Sequence, residues 1–324
     1  MSIRSFLRLS AHVQMLPVLE SGEETLVGGQ AVMEGVMMRA PHSYCVAVRK
    51  PDGEIITEEY PLPRVSEKYP AFRLPLLRGL GTLGHAMYLG IKALKFSANA
   101  ALDDGTEQKP TKVSGAMMAV NLTFSLVFFL FLYKFVPLLA ATYLGKIYEP
   151  LNGRLAINMM DGFIRIAIFL AFLGLLSRMK DIRRVFEYHG AEHKVVFNYE
   201  SGQPVNVENA QKFVTWHPRC GTSFLLVVMV LSMVIYAFLP FDNFVLKLVG
   251  RIALLPLVVG ISYELIRFAA KRPGSLMAVL TAPGLWLQRI TTKPPANDQA
   301  AVAIRALEGA MALEAAQGGE LVIA

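Results

Sequence analysis

The sequence predicts a mainly α-helical integral membrane protein with about four transmembrane helices and a small N-terminal, cytoplasmic β-rich unit. Three observations carry the prediction. Hydrophobic residues make up 54% of 324 positions and mean hydropathy is +0.43, whereas soluble domains run at about 45–50% apolar even with Gly counted. Four stretches, 115–137, 157–177, 221–239 and 244–268, are apolar over the roughly 20 residues a bilayer crossing needs. Ahead of them lies a segment with the alternation and turn residues of short strands.

Residues 1–24 read as a flexible N-terminus. Arg4 and Arg8 precede a broken apolar run ending at Pro17, with no Ala-x-Ala-like cleavage chemistry, so no cleaved signal peptide is expected. The β-rich unit, 25–70, has strand patterns at 26–32, 43–49 and 54–60. Lys50-Pro51-Asp52-Gly53 forms the turn between the last two. A lone hairpin is unstable in water, so this one should lean on the helices that follow. The segment 28–41 has paired glycines, with Glu34 and Arg39 set among Met and Val. It fits a lid or substrate rest over a site, and equally a β-turn and strand packed on the helical body.

From 71 to 112 the pattern is an amphipathic, interfacial helix and a linker. The stretch 74–96 is interrupted by Arg78, His85, Lys92 and Lys95, and Gly79, Gly81, Gly84 and Gly90 offer a face for close helix contact, including a homo-oligomer. The run 103–112 is the linker. Residues 113–292 form the four-span domain. Its central loop, 178–220, carries Arg178, Lys180, Arg183, Arg184, Lys194, Lys212 and Arg219, and Lys271 and Arg272 follow the fourth span. The opposite connections hold only Lys146 and Arg154. The excess of basic residues places the loop and both termini in the cytoplasm. Asp161 and Arg165, four apart in the second span, read as an ion pair, with part of a transport path as the alternative. The stretch 276–290, broken by Pro283 and Gly284, should lie along the membrane surface. Within 293–324, residues 300–315 form a cytoplasmic helix packed on the body, and the chain frays from Gln317.

The net charge of +7 suits anionic lipid, and without an Arg-rich recognition helix or aromatic platform no nucleic-acid recognition is expected. Cys45 and Cys220 fall on the cytoplasmic side, where no disulfide is expected.

The chemistry concentrates at Glu187-Tyr188-His189-Gly190-Ala191-Glu192-His193-Lys194. On a helix His189 and His193 share a face, as two imidazoles reaching one metal must. With Glu192 the run matches His-x-x-Glu-His, in which the Glu acts as general base toward a water on the metal. The plain alternative is a polar helix cap at the lipid headgroups. His217 and Cys220 enter the third span, and Glu264 ends the fourth, on the same side. Any of these could complete a metal shell. Glu264 could instead pair with Arg267 or a loop cation, and the 217–220 segment could be a helix start. Arg219, Thr222 and Ser223 could donate to a substrate phosphate or carboxylate, or cap the helix.

Four blocks resemble the signature blocks of the YqhQ-like bacterial membrane proteins: 28–39, 187–194, 217–224 and Ser262-Tyr263-Glu264. The tail from Asn297 is similar to theirs as well. The likeness runs over most of the chain after the first twenty-odd residues. It implies a multi-pass protein of the bacterial inner (cytoplasmic) membrane, in a family labelled a predicted metal-dependent enzyme, and supplies no substrate.

The expected function is therefore a membrane-bound, hydrolase-like enzyme. His189 and His193 would ligate a divalent metal, zinc first, with Glu264 or His217 as third ligand, Cys220 as fourth ligand or neighbour, and Glu192 as base. Its partners would be the lipid bilayer and a peptide or lipid-linked substrate. The rival is a non-catalytic docking or assembly factor using the basic face at Lys180, Arg183 and Arg184. Transport through so thin a bundle is a third, weaker reading.

Overall fold

A computed structural model describes residues 27–62, 69–101, 115–217, 220–270 and 276–316. The N-terminus 1–24, the linker 103–112, Arg219, Lys271, Arg272 and the tail from Gln317 lie outside the described residues.

The N-terminal unit is a four-stranded antiparallel meander, β1 (Gly28–Val32), β2 (Gly35–Arg39), β3 (Ser43–Arg49) and β4 (Ile55–Pro61), in the order β1-β2-β3-β4. The Lys50–Glu54 turn joins β3 to β4 through Lys50 N–H donating to the Glu54 carbonyl at 2.9 Å. β2 is absent from the sequence expectation. It pairs with β1 and β3 and is covered on both faces, so it lacks the alternation that reveals a half-buried strand. Residues 28–41 are strands packed on the helical body.

Two layers of helix cover the sheet. Val32, Met37, Tyr44, Val46 and Val48 face α1 (Leu77–Ala101) through Leu89, Ala93 and Ala100. Val36, Met38, Cys45 and Ala47 face the opposite way. There they meet α5 (Lys180–Glu200) and the alanine-rich α11 (Asn297–Ala316), whose small side chains let it lie close on the strands. Strand period two sorts one set of residues toward each layer. On α1, Gly79 abuts Tyr263 and Gly81 abuts Phe72, so these two glycines serve contacts within the chain, while Gly84 has open space beside it.

The apolar helices begin with α2 (Gly115–Leu130), which runs through a π turn at Phe131–Phe135 into α3 (Val136–Ile147). Pro137 lacks the N–H that would bond one turn back, and the π turn beside it adjusts the ladder. α4 is Arg154–Leu176. The short α6 (Val207–Gln211) lies in the central loop. α7 (Gly221–Ala237), α8 (Phe244–Ala253), α9 (Leu255–Ala270) and α10 (Leu276–Thr291) follow.

Two of these elements are long and apolar enough to cross a membrane, residues 115–147 and α4; α8 with α9 makes a third if the pair, bent by 45°, counts as one. Four spans were expected; by length and composition two or three stand out. α7 has only 17 residues, about 25 Å at 1.5 Å per residue against a hydrocarbon core of about 30 Å. The 276–290 stretch is one helix, α10, running through Pro283 and packed on α7.

Candidate metal centre

Helix α5 changes character along its length. Its first turns are charged and exposed, with Arg183 and Glu187 paired at 3.5 Å. From Tyr188 to Asn198 it is buried almost all round, between the sheet, α11 and the loop before α7. Gly190 weakens the helix by about 1 kcal/mol relative to Ala, yet the fold requires it. A Cβ there would run into the Lys293 carbonyl, where the chain leaving α10 crosses α5. Lys293 N–H donates to the Phe186 carbonyl at 2.9 Å, fixing that crossing.

The crossing orients the histidines. His189 Nδ1 lies 2.8 Å from the Thr291 carbonyl and His193 Nδ1 lies 2.5 Å from the Thr215 carbonyl. A carbonyl only accepts, so each Nδ1 carries a proton, which in a neutral ring leaves the lone pair on Nε2. That is the arrangement in which backbone carbonyls hold metal-ligating imidazoles. The two rings are 4.5 Å apart, centroid to centroid. Cys220, the N-cap residue of α7, places Sγ 3.3 Å from His189 Nε2. One donor atom from each of His189, His193 and Cys220 lies within 4.8 Å of the other two, and this is a group able to hold a metal ion among the described residues.

The other predicted residues divide. Glu192 belongs here, its Oε2 3.4 Å from His193 Nε2. A Cβ at Gly29 would sit 2.7 Å from Glu192 Cγ, so glycine lets this carboxylate lie flat on β1. His217 stacks obliquely against His193 with centroids 5.6 Å apart, but its Nε2 faces Glu200 at 3.5 Å, and it stands outside the three-donor group. Glu264 is a correction. Its carboxylate is clamped by the Arg78 guanidinium and accepts the Leu76 N–H at 3.3 Å, tying α9 to α1 away from the histidines. Its hydrogen-bonded partner is Arg78 rather than Arg267 or a loop residue. Thr222 Oγ1 lies 3.2 Å from Cys220 Sγ, and Ser223 Oγ accepts from Gln288 Nε2 at 3.1 Å.

A cavity of about 580 Å³ opens onto this group, walled by residues 28–31 of β1 and by Phe186 and Leu225, with His189, Glu192, His193, His217 and Cys220 all on its lining. Thus β1 is one wall of the site while β2 is sheet core. Sequence reasoning missed Gln288, which is fully buried and grips the 217 backbone from both sides. Its Oε1 accepts the His217 N–H at 2.7 Å and its Nε2 donates to the His217 carbonyl at 2.8 Å. A polar side chain in the apolar run Trp286-Leu287-Gln288 was the available signal. The Thr215 and Thr291 carbonyls are backbone groups and carried none.

Burial holds His193 below the usual imidazole range and pushes His217 down to about 4. An unfolded His takes its proton near 6.5. Between pH 6.5 and 4 the unfolded chain therefore binds protons that the folded chain refuses, so stability is intact above 6.5 and falls as pH drops through that window. For His217 the loss amounts to roughly 3 kcal/mol at most. Metal-free protein in detergent should show a thermal midpoint that is level from pH 8 to 7 and falls steeply below pH 6.5. Replacing His217 with Asn should flatten the fall.

The family described as "Protein of unknown function (DUF1385)" matches residues 74–313. A protein of Bacillus subtilis (strain 168) described as "Uncharacterized protein YqhQ" is 36% identical over 300 residues, which is 89% of this chain and 93% of that protein. No solved structure matches.

Proposed function

The chain belongs to the DUF1385 family, and we propose that it is a multi-pass protein of the bacterial inner (cytoplasmic) membrane with a metal-dependent hydrolytic centre facing the cytoplasm. The observation that carries this reading is the convergence of His189, His193 and Cys220 on one point, both imidazoles locked by carbonyls and Glu192 beside them at the cavity wall. Two nitrogens and one thiolate suit a borderline-soft ion, with zinc the expected metal, and three protein ligands leave a position open.

Such an ion lowers the pKa of the water it holds toward neutrality. His189 and His193, oriented by the Thr291 and Thr215 carbonyls, would hold the ion with Cys220. Glu192, acceptor-only when ionised, is placed to take the proton the water loses. Phe186, Leu225 and β1 shield the site. The substrate in this reading is a peptide or a lipid-linked molecule. Four spans, 115–147, α4, α7 and α8 with α9, are supported by large apolar side chains exposed on them, among them Phe124, Phe163, Leu225 and Val249. The basic 178–220 loop supports the cytoplasmic assignment. The docking alternative has less behind it, because Arg184 pairs with Glu34 and Arg183 with Glu187.

A second reading rests on the same 3.3 Å contact: Cys220 at a helix N-terminus beside an imidazole could act as a thiolate nucleophile. Metal content by mass spectrometry on detergent-purified protein decides. Near one equivalent in the wild type and none in a His189→Ala/His193→Ala double variant of equal monodispersity is expected. A wild type that holds no metal and fails to bind added zinc overturns the metal centre. Selective alkylation of Cys220 in that protein would then favour the thiol.

A further inference from the structure

A second polar cluster lies within the helical bundle, apart from the histidines. Lys134 sits in the π turn, Asn158, Asp161 and Arg165 on α4, Ser232 and Tyr236 on α7, and Arg251 on α8, all buried. Asp161 holds both guanidiniums, Arg251 at 2.7 Å and Arg165 in closer contact. Arg165 also donates to Ser232 at 2.8 Å, and Arg251 to Asn158 at 2.5 Å. Three cations surround the Tyr236 ring: Lys134 Nζ at 4.9 Å, and the Arg165 and Arg251 guanidinium carbons at 5.4 and 5.5 Å.

The charges do not balance. Three cationic side chains face one carboxylate, and an arginine stays charged in any protein environment. Even with Lys134 neutral, two guanidiniums outnumber Asp161. Asp242 does not contribute, since it pairs with Arg154 at the exposed rim. An uncompensated charge among apolar helices is expensive. The unmet hydrogen-bonding capacity leans the same way, with Asp161 Oδ1 the one acceptor of the cluster that lacks a hydrogen bond among the described residues. Arg165 Nε, Arg251 Nε and Asn158 Nδ2 are buried donors without a partner among the described residues. Surplus positive charge and surplus donors are the two properties an anion satisfies together. The π turn adds a third observation, because such turns often mark functional sites and this one carries the third cation.

We propose that the bundle binds a small inorganic anion of the chloride class at Arg165, Arg251 and Asn158, with Lys134 completing its surroundings. The near-complete burial of these side chains favours a small ion over a lipid headgroup. The site is independent of the metal centre.

The test is the thermal midpoint of full-length, detergent-purified protein as chloride replaces gluconate at constant ionic strength. The expected result is a saturable rise of about 4 °C in chloride, bromide or nitrate. Gluconate is too large to enter. Lys134→Met and Arg165→Met should each flatten the rise. A wild-type midpoint equal in all four salts overturns the proposal, whether or not the variants fold. So does stabilisation by phosphatidylglycerol in the micelle with none by chloride, which would move the counter-charge to a lipid headgroup.

Discussion

Replacing Glu192 with Gln is expected to leave the bound metal in place and to cut turnover by roughly 10²–10⁴-fold. Gln keeps the volume that fits against Gly29, where the Glu192 side chain lies close to the strand, so the helix and the adjacent His193 should keep their positions. What Gln lacks is a carboxylate able to accept a proton. His189, His193 and Cys220 do not depend on Glu192 for their donor atoms, and metal content should match the wild type. Turnover is read on fluorogenic peptides and lipid esters, with the metal measured in the same preparation. Wild-type rates in this variant would remove Glu192 from the chemistry. Loss of metal would make it a ligand.

The histidine pair was legible because helix period alone puts residues four apart on one face, whatever the rest of the fold does. Cys220 was legible through topology, since the loop and the third span had to meet on one side. Glu264 was not, because its partner, Arg78, lies 186 residues away on a helix that the sequence joins to nothing. β2 was hidden by being buried on both faces, and glycine and methionine carry little strand signal. Within the bundle, Asp161 and Arg165 announced themselves by their spacing. Lys134 and Arg251 did not, because a single cation in an apolar run looks the same whether it faces the protein or reaches for the interface. Only the π turn and the 45° bend between α8 and α9 accompany their turn inward.

That inward turn sets the last expectation, a loss of roughly 3–5 kcal/mol on replacing Asp161 with Asn. The carboxylate is 1% exposed and holds Arg165 and Arg251 at once. Asn fills the same space but leaves both guanidiniums buried without their counter-charge, and breaking a buried pair costs more than the pair itself contributes. Removing one cation as well should relieve part of the cost. Asp161→Asn/Arg165→Met is therefore expected to unfold between the single variant and the wild type, measured as the midpoint of SDS-induced unfolding. A single variant as stable as the wild type would mean that Asp161 is not the charge balancing the bundle. The same reasoning ties this variant to the anion. With its internal carboxylate gone, the cluster has more positive charge left to neutralise, so the chloride dependence of the midpoint should grow steeper in Asp161→Asn and become shallower when Arg165→Met is added.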